Sequence, residues 1–511
     1  MKRKLQAGHA GAWRLLALLG VGLATQVASA APLLGDAQRA GRARDAILEL
    51  SLPQAQSLLA EASPEDAALA LERMRLALYE GRCAEAVAIA SRPDLEESEA
   101  ARPVIAVARG CERATAGAVI VEDEQAGAWM RFQDGEDAVL APMLAEVVTE
   151  TRRIFAEDLG VEMPRPVRVE LVRDQLALAM MTGLPVEAAR TTGTIGVAKW
   201  GRVVMVSPRA TPKGYPYLDT LAHELTHLAL TRGSKDRAPL WLQEGVARIE
   251  ETKWREALPH DDLPSADDLA ALGVEKKIGP EIDRIGPSIA LLPSAIEAQI
   301  TYAKVMSFMR FYGREAGPEA MPKLLVALRD VSDPEDVPAV VEKLSGTPFA
   351  SWQDRWKSYV LSSKKPIPDD LRPDAPANPQ LRELRKRVRL GELMLGRRHP
   401  DAASEELGRA SALAPREPVV RALLARAHFE AERAEQARAE VDDPSKVSSS
   451  EARWWAMRAR LVAADAERSR KAALASAPYA PLAACAEAPG LARSAELDAL
   501  CEAAKRKPVA R

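Results

Sequence analysis

One eight-residue stretch limits what this chain can fold into more than any other: Thr220-Leu221-Ala222-His223-Glu224-Leu225-Thr226-His227. Residues four apart on an α-helix lie on one face, so His223 and His227 aim their imidazoles at one point and Glu224 sits beside it. The apolar neighbours suit a buried helix. H-E-x-x-H on a helix is the arrangement of a zinc site that activates water, with the glutamate as general base. In Trp241-Leu242-Gln243-Glu244-Gly245, Glu244 stands seventeen positions after His227 (244 − 227) and offers a third ligand. A lone His on an apolar helix face is usually a satisfied core residue. The chain has only six His, and two at this spacing around an acid, followed by Glu244, favour ligation.

A chain of 511 residues exceeds what one hydrophobic core organises and fits roughly three domains. Hydrophobic residues make up 47% and charged residues 28%, a globular composition and not a disordered one. The net charge of −3 argues against a nucleic-acid binder, which carries a basic face. The N-terminus has the parts of a secretory signal: basic Met1-Lys2-Arg3-Lys4, an apolar run within 13–24, and an Ala28-Ser29-Ala30 cleavage pattern. Residues 1–30 are therefore expected to be removed and the mature protein exported, to a bacterial periplasm or the cell exterior. The run is short for a retained anchor. No later stretch reaches the ~18 continuous apolar residues of a membrane span, so no transmembrane segment is expected after cleavage. The four cysteines, Cys83, Cys111, Cys485 and Cys501, match no common zinc spacing. In an oxidising compartment one reading is local pairing, Cys83 with Cys111 and Cys485 with Cys501; the other is four buried free thiols.

Residues 31–115 read as a helical, repeat-like domain, with apolar positions recurring at three and four and a turn at Gly81. The character changes over 116–363. Strands are predicted at 118–121, 167–172, 194–198 and 202–206, the last two joined by a turn at Lys199-Trp200-Gly201, and an amphipathic helix at 141–159. The motif helix and a helix over 241–251 follow. The Pro- and Asp-rich span 256–300 reads as irregular and as a candidate lid, with helices resuming at Tyr302 and running to about Leu361. Clustered prolines mark 364–379 as a linker. In 380–511, Leu390, Gly391, Met394, Ala403, Leu407, Ala410 and Pro415 fall at the positions of the tetratricopeptide pattern. Leu424, Ala425, His428 and Ala437 continue it 34 residues on (424 − 390). A generic α-helical domain is the simpler alternative.

The motifs H-E-L-T-H at 223–227, W-L-Q-E-G at 241–245 and I-T-Y-A-K at 300–304 together resemble the gluzincin metallopeptidases, the group of thermolysin and the aminopeptidase N family. The resemblance covers roughly residues 116–362. It implies an α+β, thermolysin-like zincin domain, a small β-sheet plus helices, flanked by α-helical repeat domains. It also implies Zn2+ held by His223, His227 and Glu244, with an open position whose water ionises near neutral pH. In this likeness Glu224 is the base that takes the water proton and passes it to the leaving amine. Tyr302, at the start of a helix, donates to the oxyanion. Plainer readings make Glu244 an N-cap carboxylate and Tyr302 an ordinary half-buried tyrosine. Of Glu250 and Glu251, either one orients a ligand imidazole or both line a solvated helix face. His260, His399 and His428 lack ligand companions and read as structural.

One departure matters. The Gly-x-Met-Glu-Asn segment with which such aminopeptidases capture a free amine is absent from 165–222, so exopeptidase action is unsupported. An endopeptidase cleft would hold an extended peptide on an edge strand, and 194–198 or 203–206 could supply it. The expected function is an exported zinc peptidase acting on a peptide or protein, with helical repeats that recruit substrate or a protein partner. Two alternatives stand beside it. One is a non-catalytic scaffold with structural zinc and partner-binding repeats; the other is a zinc hydrolase of non-peptide substrates.

Overall fold

Alternating apolar residues at 167–172 give the middle strand of a small mixed sheet in an otherwise mostly helical chain. We describe a computed structural model over residues 35–441, apart from 61–62, 64, 187–193, 211–214, 258–260, 263, 287, 332, 334–335, 368–371 and 374–378. The proposed signal segment, His260, the Cys485–Cys501 pair and much of the 364–379 linker lie outside the described residues. Strands β1 (Val119–Asp123), β2 (Ala128–Phe132), β3 (Val167–Val172), β4 (Gly196–Lys199) and β5 (Arg202–Val206) lie in the order β1-β2-β3-β5-β4. The three inner strands run parallel, and β1 and β4 are antiparallel edges. The α+β class therefore holds. β2 is a further strand beyond the four that the sequence pattern predicts. β5 is an inner strand, which removes 203–206 as a peptide-binding edge and leaves β4.

The β4–β5 hairpin turns on Trp200 (φ 58°) and Gly201 (φ 67°). Tight two-residue hairpins favour positive φ at both central positions. Gly201 is needed for a second reason: a Cβ there would come within 2.3 Å of the Tyr79 ring.

Each strand presents alternate residues to opposite faces. Met130, Val169 and Met205 face helices Ala141–Ile154 and Tyr217–Ser234. Val172, Val204 and Val206 face the other way and pack with helices Ala67–Tyr79, Cys83–Ala90, Arg102–Thr115 and Gln175–Thr182. The N-terminal helices thus share their core with the sheet. The same face carries Arg131, Glu170 and Arg202, all buried. Beside them Cys83 and Cys111 are joined as a disulfide, which decides between the two readings for that pair.

Two helical boundaries differ from the sequence reading. The span 256–300 is not wholly irregular. Ser265 accepts from the Asp268 N–H and starts helix Ala266–Lys276. Ser294 likewise accepts from the Glu297 N–H and starts helix Ala295–Ala316. Tyr302 therefore lies seven positions into a helix (302 − 295), not at its start. Both starts carry a Ser with an acid three residues on, the N-cap pattern that sequence alone offers.

Helices Pro379–Gly396, Pro400–Leu413, Pro418–Glu430 and Ala434–Val441 form the C-terminal region. Val388, Leu395, Ala403, Leu407, Leu424 and Ala427 share one core. Gly391 permits the closest approach, since a Cβ there would lie 2.5 Å from Leu407 Cγ. Among the described residues no helix is long and apolar enough to cross a membrane. Gly391→Ala is expected to destabilise the repeat helices by about 1–3 kcal/mol through overpacking. Urea unfolding followed by circular dichroism measures it, and an unchanged midpoint would contradict this packing.

Candidate metal centre

The motif helix, Tyr217–Ser234, buries Leu221, Ala222, Leu225, Leu228 and Ala229 in the sheet core. That spacing of three and four fixes the rotation of the helix. The turn that follows leads through Pro239 into helix Leu240–Glu250. Gly245 lets this second helix press against helix Ala295–Ala316, because a Cβ would meet the Val305 carbonyl oxygen at 2.7 Å. The result sets Glu244 against the two imidazoles. Glu244 Oε2 lies 3.5 Å from His223 Nε2 and 4.0 Å from His227 Nε2.

These three groups fit a metal. One ligand atom from each lies within 4.8 Å of the others. Ligands bound at about 2 Å around a tetrahedral zinc stand roughly 3.3 Å apart. Glu244 Oε2 is buried and accepts no hydrogen bond. A buried carboxylate oxygen without a donor is costly, and a cation at the focus of the three groups would satisfy it. Among the described residues this trio is the one such group of possible ligands. Neither His399 nor His428, both in the C-terminal region, belongs to it.

Glu251 answers the question of the neighbouring acids. Its Oε2 lies 3.0 Å from His223 Nδ1. With Nδ1 donating to Glu251, the Nε2 lone pair is left for a cation at the focus shared with Glu244 and His227. Arg248 Nη1 holds Glu251 in turn, 2.8 Å from Oε1. Glu250 faces elsewhere and is buried, with Lys253 Nζ at 2.8 Å. Glu250 is thus buried, and Glu251 borders the cleft with its carboxylate held between His223 and Arg248. Glu251 stands two helical turns past Glu244, on the same side, and that spacing was a usable signal for its role. His227 Nδ1 is buried without a partner.

The electrostatics favour positive charge at the focus. Burial opposes a proton on His223, but the nearby Glu244 carboxylate and the hydrogen bond to Glu251 outweigh it and lift its pKa to about 10. Burial would raise the Glu244 carboxyl, yet the close approach of His223 and the charge of His227 hold it below the usual range.

Glu224 sits in a different environment. Burial pushes its carboxyl up, against the pull of His227 and His223. The carboxyl rests against β4 and accepts from the Ala198 N–H. A Cβ on Gly196 would be 3.0 Å from its Cγ and Oε1. Sequence reasoning missed both of these edge-strand supports, which depend on tertiary contact.

Glu224, His223 and Tyr302 open onto one cleft of about 630 Å³. Thr194, Ile195 and Gly196 form one wall, and Ala266, Leu269 and Met306 form the other. Burial, then the Glu244 charge, raises the Tyr302 phenol above its ordinary value and keeps it protonated. The span read as a lid contributes Asp261 and Asp262 to the rim. Arg255 ties Asp261 to Asp219 of the motif helix at 2.8 Å each, and Arg310 holds Asp262 at 2.9 Å.

The family model for the tetratricopeptide repeat matches residues 394–461, within the C-terminal region and clear of the H-E-x-x-H helix. No curated protein matches the chain.

Two outcomes follow. Glu251→Ala should weaken zinc binding by roughly 10–100-fold, read by competition with a chelating dye; unchanged affinity would remove its orienting role. Burial lifts the Glu250 pKa from 4.5 to about 7. Its neutral form therefore stabilises the fold fully below 4.5, and that stability is lost as pH rises through 7. Glu250→Gln should flatten this loss, which approaches about 1.4 kcal/mol per pH unit. Urea midpoints measured across that range will show whether the slope changes.

Proposed function

We infer that the C-terminal helices serve protein–protein interaction, which the repeat match supports. For the centre we propose an exported, zinc-dependent peptidase, an endopeptidase, of the gluzincin type. The observation that carries this reading is the convergence of His223, His227 and a bare, buried Glu244 oxygen beside Glu224 in an open cleft. A zinc ion held there would supply Lewis-acid activation of water and of the scissile carbonyl.

The chain's own residues account for the rest. Glu224, its carboxyl raised by burial, is suited to take a proton from water in the cleft and return it to the leaving amine. Its Ala198 contact holds the carboxylate toward the imidazoles while the remaining β4 edge borders the cleft. An extended peptide laid along β4 would be held by main-chain hydrogen bonds. Tyr302, kept protonated, is placed to donate to a developing oxyanion. Arg248 keeps Glu251 on His223 and so preserves the ring orientation. The helical repeats would recruit a protein substrate or partner.

A non-catalytic scaffold is the second reading, favoured by the repeat match. It gives Glu224 no task. Structural zinc sites are closed by four protein ligands, whereas catalytic ones leave a position open. Glu224→Gln separates the readings. Cleavage of a peptide library should fall by roughly 10²–10⁴-fold while zinc stoichiometry is unchanged. Undiminished cleavage would end the assignment of Glu224, and absence of zinc from the purified wild type would end the metal reading.

A further inference from the structure

The disulfide sits in an unusual electrostatic setting. Cys83 opens helix Cys83–Ala90 and Cys111 lies within helix Arg102–Thr115. On the sheet below, Arg131 and Glu170 are register partners across β2 and β3. Arg131 pairs with Glu170 at 2.7 Å and Arg202 Nε with its other oxygen at 3.2 Å. Arg202 is fully buried, and Arg131 and Glu170 nearly so. Two cations thus share one carboxylate. Their Nη1 groups donate to the Gly81 and Leu78 carbonyls, at 2.8 Å each. Their Nη2 groups reach the sulfurs: Arg131 lies 3.3 Å from Cys83 Sγ and 3.7 Å from Cys111 Sγ, and Arg202 lies 3.4 Å from Cys111 Sγ. Arg202 Nη2 also lies 3.4 Å from the Met181 carbonyl oxygen.

A neutral disulfide sulfur is a weak acceptor for a guanidinium. Among the described residues Glu170 is the one carboxylate within ion-pair distance of Arg131 or Arg202, while Glu72 and Glu80 of the overlying segment pair with Arg75 and Arg82. Glu85 and Glu112, on the cysteines' own helices, are exposed. One buried positive charge is therefore unmatched, and the group placed to match it is a cysteine thiolate. Loss of the bond need not unfold the region. Ala86, Ala90, Val104, Ile105 and Ala108 pack the two helices in one core.

We propose that Cys83–Cys111 is a redox-active site, opened by a dithiol reductant within the folded chain to leave Cys111 as a thiolate between Arg131 and Arg202. A thiolate of the reductant attacks Sγ of Cys83, the less buried of the two residues (4% exposed, against 0% for Cys111). As the new S–S bond forms, the Cys83–Cys111 bond breaks and its electron pair stays on Cys111. The reductant's second thiol, once deprotonated, attacks its own sulfur in the mixed disulfide. Cys83 leaves and takes up one proton, and the other proton goes to solvent. The reductant ends as a disulfide, and two electrons have passed to the bridge. A cation-stabilised leaving thiolate speeds the first step and favours the reduced state. Nothing in this depends on the metal centre.

The test uses the full chain carrying Cys485→Ser and Cys501→Ser, so that a single pair is read. Dithiothreitol is the reductant, thiolate ultraviolet absorbance is followed against pH, and circular dichroism reports folding. The expected result is one thiol half-ionised at least about one unit below the free value of ~8.5, with the helical spectrum retained. In defined mixtures of reduced and oxidised dithiothreitol, Arg202→Met should make the bridge roughly tenfold harder to reduce, and Arg202→Lys less so. If Arg202→Met does not fold, the titration with both arginines intact decides alone. Both thiols titrating at or above ~8.5, or collapse of the helical spectrum on reduction, would overturn the proposal and leave a purely structural staple.

Discussion

Glu244 Oε2, buried without a donor, is the constraint around which the central region is arranged. Desolvating a carboxylate oxygen demands a compensating positive partner. Several features serve that demand. The motif helix is rotated by its apolar stripe, the second helix is brought close by Gly245, and His223 is turned by Glu251. Each acts through ordinary packing or hydrogen bonding. Together they hold three ligand groups about one point where, among the described residues, Glu244 Oε2 is left without a hydrogen-bond partner.

The two faces of the sheet solve different problems. One is apolar and anchors the motif helix, so it positions the cleft. The other mixes valines with an Arg–Glu–Arg cluster and is covered by the N-terminal helices. A buried charge cluster contributes little net stability, because desolvation offsets most of the Coulomb attraction. It does impose geometry. Arg131 and Arg202 each bind a carbonyl in or just past helix Ala67–Tyr79 and fix where that helix sits on the sheet.

Much of this was legible in the sequence where the signal is local. The H-E-x-x-H spacing and Glu244 point to one focus, and the structure brings them there. The alternation of residues 167–172 revealed β3 but not that its polar phase, Glu170 included, is buried. Period two reports a strand; it is silent on what covers each side. From sequence Tyr302 reads as opening a helix because Pro and Asp upstream obscure the Ser294 and Ser265 caps. The edge position of β4 was one of two choices, since strand order depends on contacts between distant segments. The C-terminal repeat was readable because each unit packs mainly on its neighbour, so the pattern stays close in sequence.

The shared core of the N-terminal helices and the sheet bears on modularity. Val172, Val204 and Val206 have their partners among residues 70–114 and helix Gln175–Thr182. The half that carries the candidate centre is therefore no interchangeable cassette. A gene fragment encoding it alone would leave a hydrophobic sheet surface, two arginines and a glutamate without cover, and recombination that parts the two halves would yield an aggregating product.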